Sequence, residues 1–517
     1  MNWLLAAGTF RAMTDAVAVD GSSLTIANVV RVARNRATVT LDGKARGRMQ
    51  RVRDVVEAKL NAGDAVYGVN TGFGKLSDIA IPPERLAELQ VNLVRSHAAG
   101  VGPLLPEEEV RAMMLLRANV LAKGHSGVRP ELSELLLGML NAGLYPPVPE
   151  QGSVGASGDL APLSHLALAM LGEGDLFHGA ERATASSLLA RSGLQPVSLG
   201  PKEGVALANG TQAHTAVATL AFYDAGLLWE AAHVAGAASL EALLGTPDAF
   251  DARIHDARGQ QGQIVSAGLL RSLLEDSEIR ESHRVGDTRV QDAYALRCMP
   301  QVHGPVHDLL RFAGDIIGRE INAATDNPLV FDDGALLSGG NFHGQAVAMV
   351  LDMMAIGLTN LAVISERRID RLVHPDLNQG LPPFLTKDAG VSSGYMIAQV
   401  TAAALASECK MLSHPASVDS IPTDGSKEDV VPMAMGAAWK LRRIIGNLRN
   451  VLAIELLCAM QGIDYRRPLR SSAAVERAYR TVRDLVPMME RDRAVSPDIL
   501  LIADAIAAEK FRAPELT

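Results

Sequence analysis

Apolar residues recur at helical spacing over long stretches in the second half of this chain. One such stripe has intervals of four and three residues and consists of Leu441, Ile445, Leu448, Leu452 and Leu456. The same periodicity predicts long helices over about 344–372 and 393–412. Apolar faces of this extent are too large for one chain to cover, so the pattern predicts a helical bundle that is shared between subunits.

The first 225 residues have a more mixed pattern. The β-branched run 38–41, which is followed by Asp42-Gly43, predicts a small strand or a turn. Segments 83–96 and 107–122 have the periodicity of amphipathic helices. No linker rich in proline, serine or glycine divides the sequence. We therefore predict a mainly α protein whose two regions, 1–225 and 226–517, share one continuous core.

The composition is typical of a globular protein that binds neither nucleic acid nor a membrane. The formal net charge is −9, whereas nucleic-acid binders normally carry a basic patch. The longest apolar segment, 346–364, contains Asp352 and Asn360 and therefore predicts a buried helix. The N-terminus lacks the basic region of a signal peptide, and 3 cysteines do not make a disulfide framework. These features predict a cytoplasmic location.

The most informative segment is the glycine-rich octet 152–159, which contains Ala156-Ser157-Gly158 and leads into a predicted helix with Asp159 at its N-cap. In a compressed turn, the amide nitrogen of Gly158 can attack the carbonyl carbon of Ala156. Loss of two waters, one of which takes the Ser157 hydroxyl, leaves a five-membered methylidene-imidazolone ring, an electrophile that no standard side chain provides. A Cβ at position 158 would crowd the attacking nitrogen, so this chemistry needs glycine there.

Other interpretations of the octet are an ordinary helix-capping turn or a different glycine motif. Its glycines have neither the Gly-x-Ser-x-Gly spacing of a nucleophile elbow nor the Gly-x-Gly-x-x-Gly spacing of a dinucleotide site. The spacing therefore leaves the capping turn and the ring as the two interpretations.

The octet resembles that of the aromatic amino acid ammonia-lyases and aminomutases that form their own methylidene-imidazolone. Further segments resemble this family in its order along the chain: YGVNTGFG (67–74), SHAAG (96–100), LANGTQ (207–212), QDAYALRC (291–298), TDNPL (325–329) and SGGNFH (338–343). The resemblance covers most of the chain. It implies a fumarase/aspartase-like fold, with the turn in the N-terminal region and a long central helical bundle shared in a homotetramer whose active sites combine several subunits. It also implies 4-methylidene-imidazole-5-one (MIO) as the cofactor, formed from residues 156–158 without a metal or nucleotide.

Elimination of ammonia from an amino acid requires a base for a weakly acidic β-proton. Tyr67 lies in a glycine-containing loop and matches the family's catalytic loop tyrosine, with a packing aromatic as the alternative. In the family, the asparagine that matches Asn209 binds the ring oxygen and the substrate carboxylate; a turn residue is the alternative. The predicted catalytic residues are Tyr67, Ala156, Ser157, Gly158, Asn209 and Tyr294.

Gln291, Tyr294 and Arg297 are three residues apart and would share one face of a helix. A surface polar stripe is one interpretation; the resemblance implies that Arg297 binds the substrate carboxylate and that Tyr294 and Gln291 contact the ring or the amine. Phe342 would pack beside the ring or substrate, or only in the core.

A metal site is not expected from the histidine spacing. His303 and His307 are separated by four residues, but Gly304-Pro305 between them predicts a helix start that leaves His303 outside the helix. We therefore expect structural histidines here.

Specificity is predicted from the residues that would face the substrate ring. His97 follows Ser96, as in histidine ammonia-lyases, and Glu428 matches the glutamate that these enzymes place against the imidazole. Lys427 departs from the family's Gln or Asn and could pair with Glu428 or favour an acidic or phenolic ring. We predict conversion of L-histidine to trans-urocanate. The alternatives are a tyrosine- or phenylalanine-directed lyase, a 2,3-aminomutase and a non-catalytic helical scaffold.

Overall fold

The computed structural model describes residues 16–62, 71–72, 74–76, 79, 81–287 and 289–514. The chain packs into two compact units. Unit 1 comprises Met1–Leu220, Gly314–Asp352 and Pro415–Trp439, and unit 2 comprises Ala221–Ala313, Met353–His414 and Lys440–Thr517. The predicted division into 1–225 and 226–517 stays a prediction.

The fold is mainly α, as predicted. The helices are α1 (Ile26–Arg34), α2 (Gly43–Asn61), α3 (Leu86–His97), α4 (Glu107–Lys123), α5 (Pro130–Asn141), α6 (Leu160–Met170), α7 (Ala185–Arg191), α8 (Glu203–Ala208), α9 (Gln212–Ala242), α10 (Ala252–Arg258), α11 (Gln261–Leu273), α12 (Glu278–Glu281), α13 (Tyr294–Arg297), α14 (Met299–Glu320), α15 (Gln345–Val373), α16 (Met396–Leu412), α17 (Ala434–Arg466), α18 (Ala473–Leu485) and α19 (Ser496–Ala507). Short 3₁₀ helices occur at Gly74–Leu76, Pro83–Arg85, Pro247–Phe250, Pro383–Leu385 and Asp424–Ser426.

The strands are short and all belong to unit 1. They are β1 (Val17–Val19), β2 (Val39–Leu41), β3 (Val101–Leu104), β4 (Leu144–Tyr145), β5 (Pro149–Gln151), β6 (Asp175–His178), β7 (Glu181–Thr184), β8 (Leu329–Val330) and β9 (Leu336–Leu337). β1 pairs with β2 in parallel, with Val17 opposite Val39, while β3–β5, β4–β6–β7 and β8–β9 are antiparallel. The strand predicted at 38–41 is therefore confirmed.

Three helices of unit 1 bring the candidate residues together. α3, α6 and α8 pack against one another. α3 ends at His97, α6 begins directly after the octet, and α8 ends one residue before Asn209. Because the relevant end of each helix carries a candidate residue, this packing gathers His97, the octet and Asn209 in one place.

The helices of unit 2 contain the apolar stripe that the sequence predicted. Its five residues in α17 are at most 4% exposed. The described part of this unit also buries an ion pair between Arg368 and Glu455, which is joined by the Ser239 and Ser365 hydroxyls. The bidentate pair and the two hydroxyls satisfy a carboxylate that would otherwise be costly to bury.

Two helix predictions were wrong in detail. α4 is buried on all sides from Glu109 to Ala122 rather than amphipathic, because neighbouring elements of unit 1, including α1, α2 and α5, pack around it. α14 continues through Pro305 instead of starting there, so His303 lies inside the helix. Gly304 allows α11 to pack closely against α14 at this point, since a Cβ there would lie 2.4 Å from the Gln263 nitrogen. Such tertiary packing can outweigh the local preference of proline for a helix start.

α15 and α17 are long and apolar enough to cross a membrane by length and composition alone. Their most apolar windows are 72% and 83% buried within the chain, respectively. Helices with this degree of burial are typical of a protein core.

Candidate active site

The octet forms a tight turn at the start of α6. Gly158 has φ +73° and forms a parallel bridge to Gly210. A Cβ at Gly158 would lie 2.2 Å from the Gly210 carbonyl oxygen, and Ala156 is only 3% exposed. Glycine is therefore required at 158 by the backbone conformation and by the approach of a second backbone segment.

Ser157 is held from two sides. Asn209 Nδ2 donates to the Ser157 carbonyl oxygen at 2.7 Å. The Ser157 hydroxyl donates to one carboxylate oxygen of Glu428, and the Thr423 hydroxyl donates to the other. Both reactive parts of this serine, the carbonyl and the hydroxyl, thus have a specific polar partner.

The residues of the turn fit the ring that the resemblance implies. Gly158 has a positive φ and lies against the Gly210 backbone, and ring formation would require attack of its amide nitrogen on the Ala156 carbonyl carbon. The Ser157 carbonyl oxygen would become the ring oxygen, and Asn209 already donates to that atom. Among the described residues, no group of three His, Cys, Asp or Glu side chains could hold a metal ion.

Asp159 precedes α6, but its side chain does not cap the helix. Its carboxylate instead accepts from the His214 backbone nitrogen at 2.9 Å and from the Ser153 hydroxyl at 2.7 Å, and it pairs with His214 Nδ1. Burial opposes the charged form of both partners, but their attraction and hydrogen bonds outweigh it. The pKa of Asp159 is therefore lowered and the pKa of His214 is raised.

A cavity of about 560 Å³ lies over the turn in unit 1, a volume suited to a small-molecule ligand. Leucine, isoleucine and valine side chains and Phe342 form much of its wall. The polar lining includes Asn92, His97, Ser157, Asn209, Asn327 and Glu428. Four predicted site residues, His97, Asn209, Phe342 and Glu428, therefore meet Ser157 at one cavity.

The hydrogen-bond partners of His97 indicate which of its ring nitrogens is the donor and which the acceptor. Its Nδ1 lies 2.9 Å from the Leu93 carbonyl oxygen and 3.0 Å from the Ser96 hydroxyl. Since a carbonyl oxygen only accepts, Nδ1 carries the proton of the neutral ring, and Nε2 is left as an acceptor.

The remaining predicted residues are distributed differently. Tyr67 lies outside the described residues. Lys427 is exposed, and its backbone nitrogen donates to the Asp424 carbonyl. Of the two possibilities considered for its side chain, an ion pair with Glu428 is not present between these two described residues. The Glu428 carboxylate is engaged by the Ser157 and Thr423 hydroxyls instead.

Gln291, Tyr294 and Arg297 lie in unit 2 and line a separate cavity there. The prediction that one helix carries all three was wrong. α13 holds Tyr294 and Arg297 but not Gln291, since the described residues between 287 and 293 are not helical. The Arg297 guanidinium carbon lies 4.8 Å from the Tyr294 ring centroid, and Tyr294 is 70% exposed.

Residues 24–484 match the aromatic amino acid lyase family. The chain belongs to this family. It is therefore a carbon–nitrogen lyase, and the resemblance seen in its motifs is confirmed. It is 53% identical to histidine ammonia-lyase of Anaeromyxobacter sp. (strain K) over 497 residues, which cover 94% of this chain and 98% of the relative.

Solved structures of two related enzymes have the same fold. Histidine ammonia-lyase from Trypanosoma cruzi is 42% identical with a TM-score of 0.89, over 97% of this chain and 99% of that one. Tyrosine aminomutase from Streptomyces globisporus is 39% identical with a TM-score of 0.91, over 96% and 98%. The fold is therefore shared by lyases and aminomutases, and the cavity residues must decide the substrate.

Sequence reasoning missed three residues that contact the site: Thr423, His214 and Arg117. Thr423 holds Glu428, His214 holds Asp159, and Arg117 Nη1 donates to the Asn209 carbonyl oxygen at 2.8 Å. Thr423 lies five positions from its partner in the sequence, and His214 and Arg117 lie more than fifty positions from theirs. Local sequence spacing therefore did not indicate these contacts.

Proposed function

We propose that this chain eliminates ammonia from L-histidine to give trans-urocanate, using 4-methylidene-imidazole-5-one formed from Ala156, Ser157 and Gly158. The observation that carries this proposal is the meeting of Ser157 with His97 and Glu428 at one cavity. The identity to histidine ammonia-lyases over most of the chain supports it.

His97 and Glu428, the two residues proposed to face the substrate's ring, can both accept hydrogen bonds. In the neutral imidazole of His97, Nε2 is an acceptor because the Nδ1 proton is directed at the Leu93 carbonyl oxygen, and the carboxylate oxygens of Glu428 are acceptors. An imidazole or imidazolium supplies N–H donors to these groups, whereas a phenyl ring supplies none and would leave a carboxylate unpaired. Sites built around such hydrogen bonds reject analogues that lack the donor by ~10⁴-fold or more.

The other residues have separable roles in this proposal. The MIO group supplies an electrophile for the substrate's amine. Asn209 stabilises negative charge at the Ser157 carbonyl oxygen by its hydrogen bond. Phe342 excludes water from the cavity that it lines. Tyr67 is the proposed base for the β-proton, and Arg297, with its planar guanidinium, is proposed to bind the substrate carboxylate.

The proposal is tested by supplying L-histidine, L-phenylalanine and L-tyrosine side by side and measuring the unsaturated acids by chromatography. Urocanate formed at least ~10⁴-fold more efficiently than cinnamate, and more efficiently than coumarate, is the expected result, because a phenyl ring lacks the donor that the phenol of tyrosine keeps. Dominant cinnamate or coumarate would contradict it, and accumulation of a β-amino acid would indicate an aminomutase.

We also propose a homotetramer whose active sites combine subunits. The exposed apolar residues of α15 and α16 in unit 2 support an assembly: Ile356, Ile397, Val400 and Met411. Ser157 lies in unit 1 and Arg297 in unit 2. Co-expressed Ser157→Ala and Arg297→Met subunits, each inactive alone, should then form some complete sites and regain activity. No regained activity in isolated mixed tetramers would contradict shared sites.

A cytoplasmic location is proposed as well. The three cysteines, Cys298, Cys409 and Cys458, are free, and the last two are buried. Thiols in this state support a reducing compartment.

A further inference from the structure

A buried arginine contacts the backbone of Asn209. Arg117 in α4 is 0% exposed, and its Nη1 donates to the Asn209 carbonyl oxygen at 2.8 Å. The Arg117 guanidinium also packs against Gly210, the residue that follows Asn209, since a Cβ at Gly210 would lie 2.9 and 3.0 Å from Nη1 and Nη2. One guanidinium therefore supports two consecutive residues.

Those two residues are the ones that hold the turn. The Asn209 side chain donates to the Ser157 carbonyl oxygen, and the Gly210 carbonyl accepts from the Asp159 nitrogen, both at 2.7 Å. The two contacts lie on either side of Gly158. A displacement of the 209–210 segment would therefore loosen both hydrogen bonds together.

The helix that precedes Asn209 cannot fix this position unaided. α8 has only 6 residues, which is too short to be stable by itself. Its first turn is held by Gln90, whose Oε1 accepts from the Gly204 and Val205 nitrogens. Arg117 is the corresponding support at its C-terminal end, where a cation also suits the helix dipole.

This support has a cost. Burial lowers the pKa of Arg117 to about 10 despite the attraction of Asp326 and Asp159, so the guanidinium stays charged at neutral pH. Within the described part of the chain, its Nε and Nη2 are buried without a hydrogen-bond partner. An apolar side chain would avoid that penalty, so stability alone does not account for an arginine here.

We propose that Arg117 is a positioning residue, which holds Asn209 and Gly210 so that the Asn209 amide stays on the Ser157 carbonyl oxygen during ring formation and turnover. The role in turnover rests on the proposed function, whereas the role in ring formation does not. Arg117 does not touch the substrate; it acts through Asn209.

The test compares Arg117→Met with a matched control, Arg111→Met. Arg111 is also buried in α4, at 1% exposed, but it donates to the Val32 and Leu140 carbonyls away from the cavity. Intact mass gives the fraction of chains that are lighter by two waters, and turnover is expressed per cyclised chain. This normalisation separates loss of positioning from loss of folded protein.

For Arg117→Met we expect a smaller cyclised fraction and a kcat per cyclised chain that falls ~100-fold, with a much smaller change in KM. Arg111→Met should keep the wild-type kcat per cyclised chain. In a double-mutant cycle, Arg117→Met should add little to Asn209→Ala, because the arginine acts through that asparagine. Additive losses, or a kcat and cyclised fraction equal to those of Arg111→Met, would overturn the proposal.

If Arg117→Met does not fold, Arg117→Lys supplies the same readings. Lysine keeps the positive charge and N–H donors but lacks the planar fork that spans Asn209 and Gly210, so an intermediate loss of kcat per cyclised chain is expected. Wild-type values for both readings would again overturn the proposal. Failure of the wild-type chain to release urocanate would contradict the proposed function instead, because the cyclised fraction is measured without substrate.

Discussion

Replacement of Gly158 by alanine tests the geometry of the turn most sharply. The new Cβ would lie 2.2, 2.4 and 2.5 Å from the oxygen, carbon and nitrogen of Gly210. Since ordinary carbon contacts begin near ~3.5 Å, the two backbone segments must separate by about 1 Å. That movement breaks the Asp159–Gly210 hydrogen bond and weakens the Asn209–Ser157 one.

The magnitude follows from two contributions. A left-handed conformation costs a non-glycine residue roughly 1–2 kcal/mol, and each lost hydrogen bond costs about 1 kcal/mol. We therefore expect Gly158→Ala to lower the free energy of unfolding by about 3 kcal/mol or more and to prevent ring formation.

Gly179→Ala is the matched control. Gly179 has φ +61°, but a Cβ there would meet nothing within 4 Å, so this variant carries the conformational cost alone. Urea unfolding of both variants and intact mass are the measurements. A Gly158→Ala chain that is lighter than its sequence by two waters, and unfolds within about 0.5 kcal/mol of Gly179→Ala, would refute the reasoning.

Three further predictions concern groups around the turn. His214→Gln should cost about 3 kcal/mol because it leaves Asp159 buried without its partner. Because the pKa of His214 is raised in the folded state, the stabilisation by this pair is complete below pH 6.5, the ordinary pKa of histidine, and is lost as pH rises through the folded-state pKa. Because the pKa of Asp159 is lowered in the folded state, the stabilisation persists as pH falls to 3.8 and is lost only below that value. Urea unfolding against pH should therefore show the largest difference between about pH 4 and pH 6.5; a difference that grows in alkali would contradict the pairing. Glu428→Gln should lower kcat/KM for L-histidine ~100-fold while changing that for L-phenylalanine little; equal losses for both substrates would remove Glu428 from specificity. Thr423→Val should reduce kcat/KM for L-histidine about tenfold by releasing the Glu428 carboxylate, and steady-state kinetics showing no change would mean that the hydroxyl is dispensable.

Periodicity predicted the helices well where one face is buried. α15 and α16 begin and end close to the predicted residues, and α17 contains the predicted stripe but extends beyond it at both ends, since apolar spacing marks the buried face of a core helix. It failed where packing overrides local preference, as at Pro305 inside α14. Gln291 fell outside the expected helix for a similar reason: a three-residue spacing indicates a shared face only if the backbone is helical.

The candidate site was predictable where a motif carries the chemistry. Ser157, Asn209, His97 and Glu428 were identified from short segments and lie at one cavity. The supporting residues were not, because Arg117 meets Asn209 only when α4 packs in unit 1. Contacts between segments that are distant in the sequence produce no regular residue spacing from which they could be predicted.

The central claim is that residues 156–158 become the electrophile of a lyase, and the intact mass of the purified chain tests it most directly. The account predicts a wild-type chain lighter than its sequence by two waters, and a Ser157→Ala chain with the full mass of its own sequence. A wild-type chain of full mass that still releases urocanate from L-histidine would contradict the account.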